Sequence, residues 1–102
     1  MFGDSEFEKA KFEIDKALVA DAEYAPAYNN KGVINHQMKK YTEAIAAFDK
    51  AIQLDVNYAK AYLNRGISKQ MIRDEDGACL DWKKAKELGI MISKNYLAND
   101  CE

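Results

Sequence analysis

Apolar and small residues recur at three- and four-residue steps over most of the chain. From Thr42 onward, Ala44, Ile45, Phe48, Ala51 and Ile52 share one side of a 3.6-residue period, which predicts an amphipathic helix. A preceding stretch, 25–38, carries Tyr28, Gly32 and Val33, and Lys39-Lys40-Tyr41-Thr42 breaks the pattern between the two. Pro26 falls in the first turn of that earlier helix, where its missing N–H and fixed φ cost nothing. The later helix stops at Leu54-Asp55-Val56-Asn57, where Val and Asn disfavour continuation. The arrangement then recurs. Asp74 precedes Glu75-Asp76-Gly77 as an expected N-cap with acids in the first turn, and Gly89 stands where the helix should end.

The recurrence has a fixed offset of 34 residues. Tyr28 pairs with Tyr62, Asn30 with Asn64, Gly32 with Gly66, Ala44 with Ala78, Phe48 with Trp82, Ala51 with Ala85 and Leu54 with Leu88. Backwards, Phe7, Ala10, Ile14 and Ala17 fall under Tyr41, Ala44, Phe48 and Ala51; forwards, Tyr96 falls under Tyr62. If the first helix of a unit is A and the second B, the order is B-A-B-A-B-A, about six helices. The expected boundaries are a half repeat over 5–24 (helix B), full repeats over 25–58 and 59–92, and a half repeat or capping helix over 93–102.

Tyr28, Gly32, Ala44, Phe48 and Ala51, matched by Tyr62, Gly66, Ala78, Trp82 and Ala85, resemble the tetratricopeptide repeat (TPR) family, whose 34-residue unit is a helix–turn–helix. Lys31 and Arg65 depart from it where the family has Leu, and Val56 and Ile90 where it often has Pro. Glu75 stands where Tyr41 supplies an aromatic one repeat earlier. The resemblance implies an all-α fold, a right-handed superhelix of antiparallel helix pairs forming a TPR α-solenoid. The small residues would then sit where helices cross closely, and the aromatic ones would fill the space between units.

The composition agrees with a folded, water-facing chain of one domain's length. Apolar residues make up 48% and charged residues 31% of 102 positions, an ordinary mixture. A formal charge of −2 gives no general attraction for nucleic acid or anionic lipid. No apolar run approaches a membrane span, and Met1-Phe2-Gly3-Asp4-Ser5-Glu6 has acids where a signal peptide needs bases. A cytoplasmic location is the default expectation. Cys79 and Cys101 lack metal-ligand spacing and are too few for a disulfide framework, so they read as a semi-buried small side chain and a thiol near the chain end.

Catalytic chemistry finds little to build on. His36 is the single histidine, so no His pair is available for a metal, and it reads as a helix-surface residue. Ser68, Ser93 and Cys79 have no nucleophile-turn motif. Asp74-Glu75-Asp76-Gly77 lacks the spacing and closing Glu of a calcium loop. A non-enzyme with no cofactor and no metal is expected.

Binding is the expected function. A superhelix of helix pairs has a concave side lined by its A helices. Positions opposite the Tyr/Gly seam are Asn29, Asn30, Val33 and Gln37 in the first unit and Lys60, Leu63, Asn64, Ile67 and Met71 in the second, with Lys94 in the half unit. Amides there suit a peptide backbone, and Leu63, Ile67 and Met71 suit apolar side chains. The asparagines could equally hydrogen-bond within the array. The resemblance implies that Asn30 and Asn64 stand where family members contact a peptide backbone. Lys60 and Lys94 fall at a clamp-like Lys position of chaperone-binding members, but Asn64 and Ala98 replace the following Arg, and Asn29 and Val33 replace the Lys/Asn pair. The clamp is incomplete. A protein or peptide partner is therefore expected, without nucleic acid or membrane. The alternative is a self-assembling module whose terminal half repeats associate into a dimer or head-to-tail array, leaving Phe7, Phe12, Ile14, Ile92, Tyr96 and Leu97 for a second copy.

Overall fold

A computed structural model describes residues 4–90, with side chains from residue 6. Five helices follow one another: α1 Asp4–Ala20, α2 Ala25–Gln37, α3 Tyr41–Leu54, α4 Ala59–Met71 and α5 Glu75–Glu87. They occupy the expected B-A-B-A-B positions of an all-α helical repeat; the expected sixth helix, at 93–102, lies outside the described residues. Each helix packs chiefly on its sequence neighbours, and α2 also touches α4, which joins the first helices of the two units.

The turns within units are built alike. Lys39 and Arg73 both adopt the left-handed region, at φ 64° and 65°. At the first turn the Lys40 N–H donates to the Asn35 carbonyl at 2.8 Å and Lys39 to His36 at 2.9 Å; at the second, Asp74 donates to Lys69 at 2.8 Å and Arg73 to Gln70 at 3.0 Å. Both are Schellman closures, which satisfy the last carbonyls of a helix. Gly89, at φ 103°, does the same after α5. A side chain in this region is strained, so R73G is expected to raise unfolding free energy by about 0.5–1 kcal/mol, readable in a denaturant titration. Asp74 caps α5 as expected, accepting from the Gly77 N–H at 3.0 Å.

The core runs along the seams between helices. Ala44, Ala51, Ala61, Ala78, Ala85 and Trp82 are all 0% exposed and Phe48 is 1% exposed. The glycines set the closeness of each pair. A Cβ on Gly66 would lie 2.5 Å from Trp82 Nε1 and 3.1 Å from the Ala78 carbonyl oxygen, and one on Gly32 would overlap the Phe48 ring. The aromatic ring of each B helix thus lies over the glycine of its own A helix. Coverage is thinner on α1, which packs on α2 alone among the described helices. Phe7, Ala10 and Ile14 are half-buried, and Ala17, equivalent to the fully buried Ala51, is exposed.

The departures at Lys31 and Arg65 have a physical reason. Arg65 forks across three helices: its Nε and Nη2 donate to the two oxygens of Asp81 on α5, at 2.9 and 2.6 Å, and its Nη1 donates to Asp49 on α3 at 2.9 Å. Lys69 adds an ion pair to Asp81 at 3.2 Å. The hydrogen bonds to Asp81 outweigh the cost of burial and push the guanidinium pKa well up. One repeat earlier, Lys31 pairs among the described residues with Asp15 alone, at 3.4 Å. Charge has replaced the leucine without leaving a buried cation unpaired. Cys79, expected as a semi-buried small side chain without a disulfide framework, differs from that expectation. It is buried, and its sulfur is in a disulfide; spacing along a sequence cannot report which sulfurs meet in space. Cys101 lies outside the described residues.

Candidate functional site

The groove positions divide on inspection of their burial. Asn30, Gln37, Lys60 and Met71 are exposed, while Val33, Leu63, Asn64 and Ile67 are half-buried. Val33, Gln37, Asn64 and Ile67 come together with His36 and Phe48 around a hollow of about 130 Å³ between α2 and α4. Gln37 also borders a second hollow, of about 220 Å³, with Glu6, Phe7, Ala10 and Ile34. A shallow channel therefore runs along α2 between its neighbours α1 and α4. Lys94 lies outside the described residues.

Asn29 departs from expectation. It is 5% exposed, and its Oδ1 accepts a hydrogen bond from Asn64 Nδ2 at 3.2 Å. Nearby, burial, with Tyr24 and Asp55, pushes the Tyr58 pKa up, and the Asn29 side chain opposes that shift. Asn29 is thus spent on joining the two units, the within-array use that the sequence left open. Its neighbour Asn30 stays exposed, with no side-chain hydrogen bond among the described residues.

His36, expected on the helix surface, has partners in the structure. It is half-buried on α2, its Nδ1 and Ser68 Oγ on α4 are hydrogen-bonded at 2.8 Å, and its ring meets Tyr41 edge-on at 5.1 Å. Ser68 is fully buried. Sequence reasoning missed the pair because the two residues are 32 apart and meet only when α2 packs on α4. Desolvation lowers the His36 pKa below its ordinary 6.5. The folded state thus favours the neutral ring: the contribution is complete above pH 6.5 and is lost as pH falls through the lower folded value. Melting temperature should fall modestly between pH 7 and 5, and H36Q should remove that part of the fall while keeping the part due to carboxylates.

Among the described residues no three His, Cys, Asp or Glu side chains cluster to hold a metal, and no helix is long and apolar enough to cross a membrane.

Residues 25–58 match the tetratricopeptide repeat family. No curated protein sequence matches the chain. Among solved structures, the second TPR of Spaghetti (RPAP3) bound to the HSP90 peptide SRMEEVD superposes with a TM-score of 0.79 at 26% identity, over 83% of this chain and 79% of that one. MamA superposes with a TM-score of 0.77 at 28% identity, over 81% of this chain and 48% of its own length. The Arabidopsis OM64 TPR domain reaches 0.84 at 22% identity, over 93% of this chain and 78% of that one. One unit, residues 25–58, thus matches the tetratricopeptide repeat family in sequence, and the helix pairs around it are arranged as in these TPR structures.

Proposed function

We propose that the chain is a non-catalytic interaction scaffold that takes a peptide or protein segment along the channel lined by α2 and α4. The observation that carries this reading is the convergence of Val33, Gln37, Asn64 and Ile67 on one hollow with an aromatic floor, Phe48. A small apolar anchor flanked by amides suits one side chain of an extended segment and the backbone on either side of it. The peptide carried by the second TPR of Spaghetti supports the same use of the fold. Asn30 is exposed on α2 beside these hollows, Gln37 borders both of them, and Asn64 has one hydrogen bond already committed to Asn29. N30A should therefore act on ligand contact alone, whereas N64A also loosens the joint between units.

Selection of a displayed peptide library on the chain tests the reading. Selected peptides should lose about tenfold or more in affinity to V33R and I67R, and nothing to L80R on α5, where Leu80 is 68% exposed and borders neither hollow. Peptides that ignore I67R and respond to L80R would overturn the groove assignment.

A second reading, self-association through α1, draws on Phe12 and Val19, which are 62% and 88% exposed on a helix packed on one neighbour. Sedimentation at micromolar concentration tests it: a dimer that dissociates in F12D supports it, and a strict monomer rejects it.

A further inference from the structure

The two repeats treat one equivalent position differently. At an offset of 34, Asp15 corresponds to Asp49, Lys31 to Arg65, Asn35 to Lys69 and Ala47 to Asp81. In the second repeat the Asp81 carboxylate is held by Arg65 and Lys69. In the first, the corresponding residue is a methyl group, and a cavity of about 440 Å³ opens beside it, between α1, α2 and α3. That volume is within the range of ligand sites, about 300–1,000 Å³.

The lining is chemically pointed. Lys11, Lys31 and Lys50 border the cavity with Asp15 and Glu43, an excess of one positive charge. Asp15 engages Lys31 only loosely, at 3.4 Å, with both side chains partly exposed. Asn35 also lines the cavity, is 3% exposed, and its buried side-chain oxygen has no hydrogen-bond partner among the described residues. A buried acceptor of this kind requires a donor.

We propose that this cavity binds an acidic residue of a peptide: its carboxylate takes the place among the lysines that Asp81 takes beside Arg65 and Lys69, and an N–H of the peptide satisfies Asn35 Oδ1. A bare inorganic anion would answer the lysines but leave the asparagine oxygen unpaired. The site is lined by the B helices α1 and α3 as well as α2, and shares no lining residue with the Val33–Ile67 hollow. It stands or falls independently of the concave channel.

The test is an NMR titration of the full chain with acetyl-Glu-Glu-Glu-amide at low salt, with acetyl-Gln-Gln-Gln-amide and sodium acetate as controls. Saturable amide shifts are expected at Lys31, Asn35 and Ala47, with the Gln peptide and acetate at least about tenfold weaker. A47D supplies the carboxylate from within, as the second repeat does, and should weaken the Glu peptide about tenfold while helicity is kept. K31M and K50M, on partly exposed side chains, should weaken it too and guard against a folding defect in A47D. Equal binding of the Gln peptide or of acetate would overturn the proposal, as would undiminished binding to K31M with the shifts centred on Asn30 and Ile67.

Discussion

Replacing Trp82 by alanine is expected to lower the unfolding free energy by about 3–5 kcal/mol. Trp82 is the largest fully buried side chain, and its ring edge lies directly over Gly66, so that even one added carbon there would meet it at 2.5 Å. Ala61, Ala78 and Ala85 of the same two helices are already at 0% exposure, and side chains this short cannot extend into such a gap. Dispersion contacts and the transfer of a large aromatic surface are lost together. The expected loss is a large part of the about 5–15 kcal/mol that holds a typical domain. In a helical array it should fall first on the α4–α5 pair, since each unit is stabilised by its immediate neighbours. Hydrogen exchange should show α5 losing protection before α2 and α3, and equilibrium denaturation gives the magnitude. A loss under 1 kcal/mol would mean that α4 and α5 do not pack as described. G66A approaches the same contact from the other side: it should cost about 1–3 kcal/mol by overpacking, despite alanine's higher helix propensity.

The second large effect concerns Arg65. R65M should cost about 2–4 kcal/mol, because it leaves the Asp81 carboxylate, whose side chain is 4% exposed, with Lys69 as its remaining cation. The desolvation of a carboxylate is the larger part of that cost, so removing the carboxylate as well should restore most of the stability: R65M/D81A is expected within about 1 kcal/mol of the parent. The first repeat already has the uncharged member of the pair, since Ala47 stands at the Asp81 position. D49A provides the contrast. Asp49 is 55% exposed, and its pairing with Arg65 should be worth under about 1 kcal/mol and fade in high salt. A double-mutant cycle over Arg65 and Asp81, read by denaturant unfolding, measures the coupling; additive losses would reject the ion cluster as a unit.

Much of the fold was legible before any coordinates. The 34-residue offset, the glycine–aromatic pairs and the Asp74 cap are local or strictly periodic, and the helices follow them closely. Chemistry between units was less visible. A periodic pattern says that Asn29, Lys31, His36 and Ser68 lie on A helices; it does not say which of them face each other across an interface. The period puts Asn29 among the groove positions, and the structure shows it 5% exposed with its Oδ1 accepting from Asn64 on α4. The same period puts His36 on a helix surface, and only the packing of α2 on α4 brings Ser68 within 2.8 Å of it.

The helices, their order, their repeat and the small–large complementarity that lets each pair close all follow from spacing along one chain and from side-chain volume, so they can be read from the residues. Only the packing of helix on helix shows which polar residues join the units and which stay exposed. It also decided that one repeat seals its charged junction with an internal carboxylate while the other leaves a lysine-lined cavity. Those outcomes depend on which residues of neighbouring helices approach within about 3 Å, the reach of a hydrogen bond, and only the stacking of the helices brings them that close.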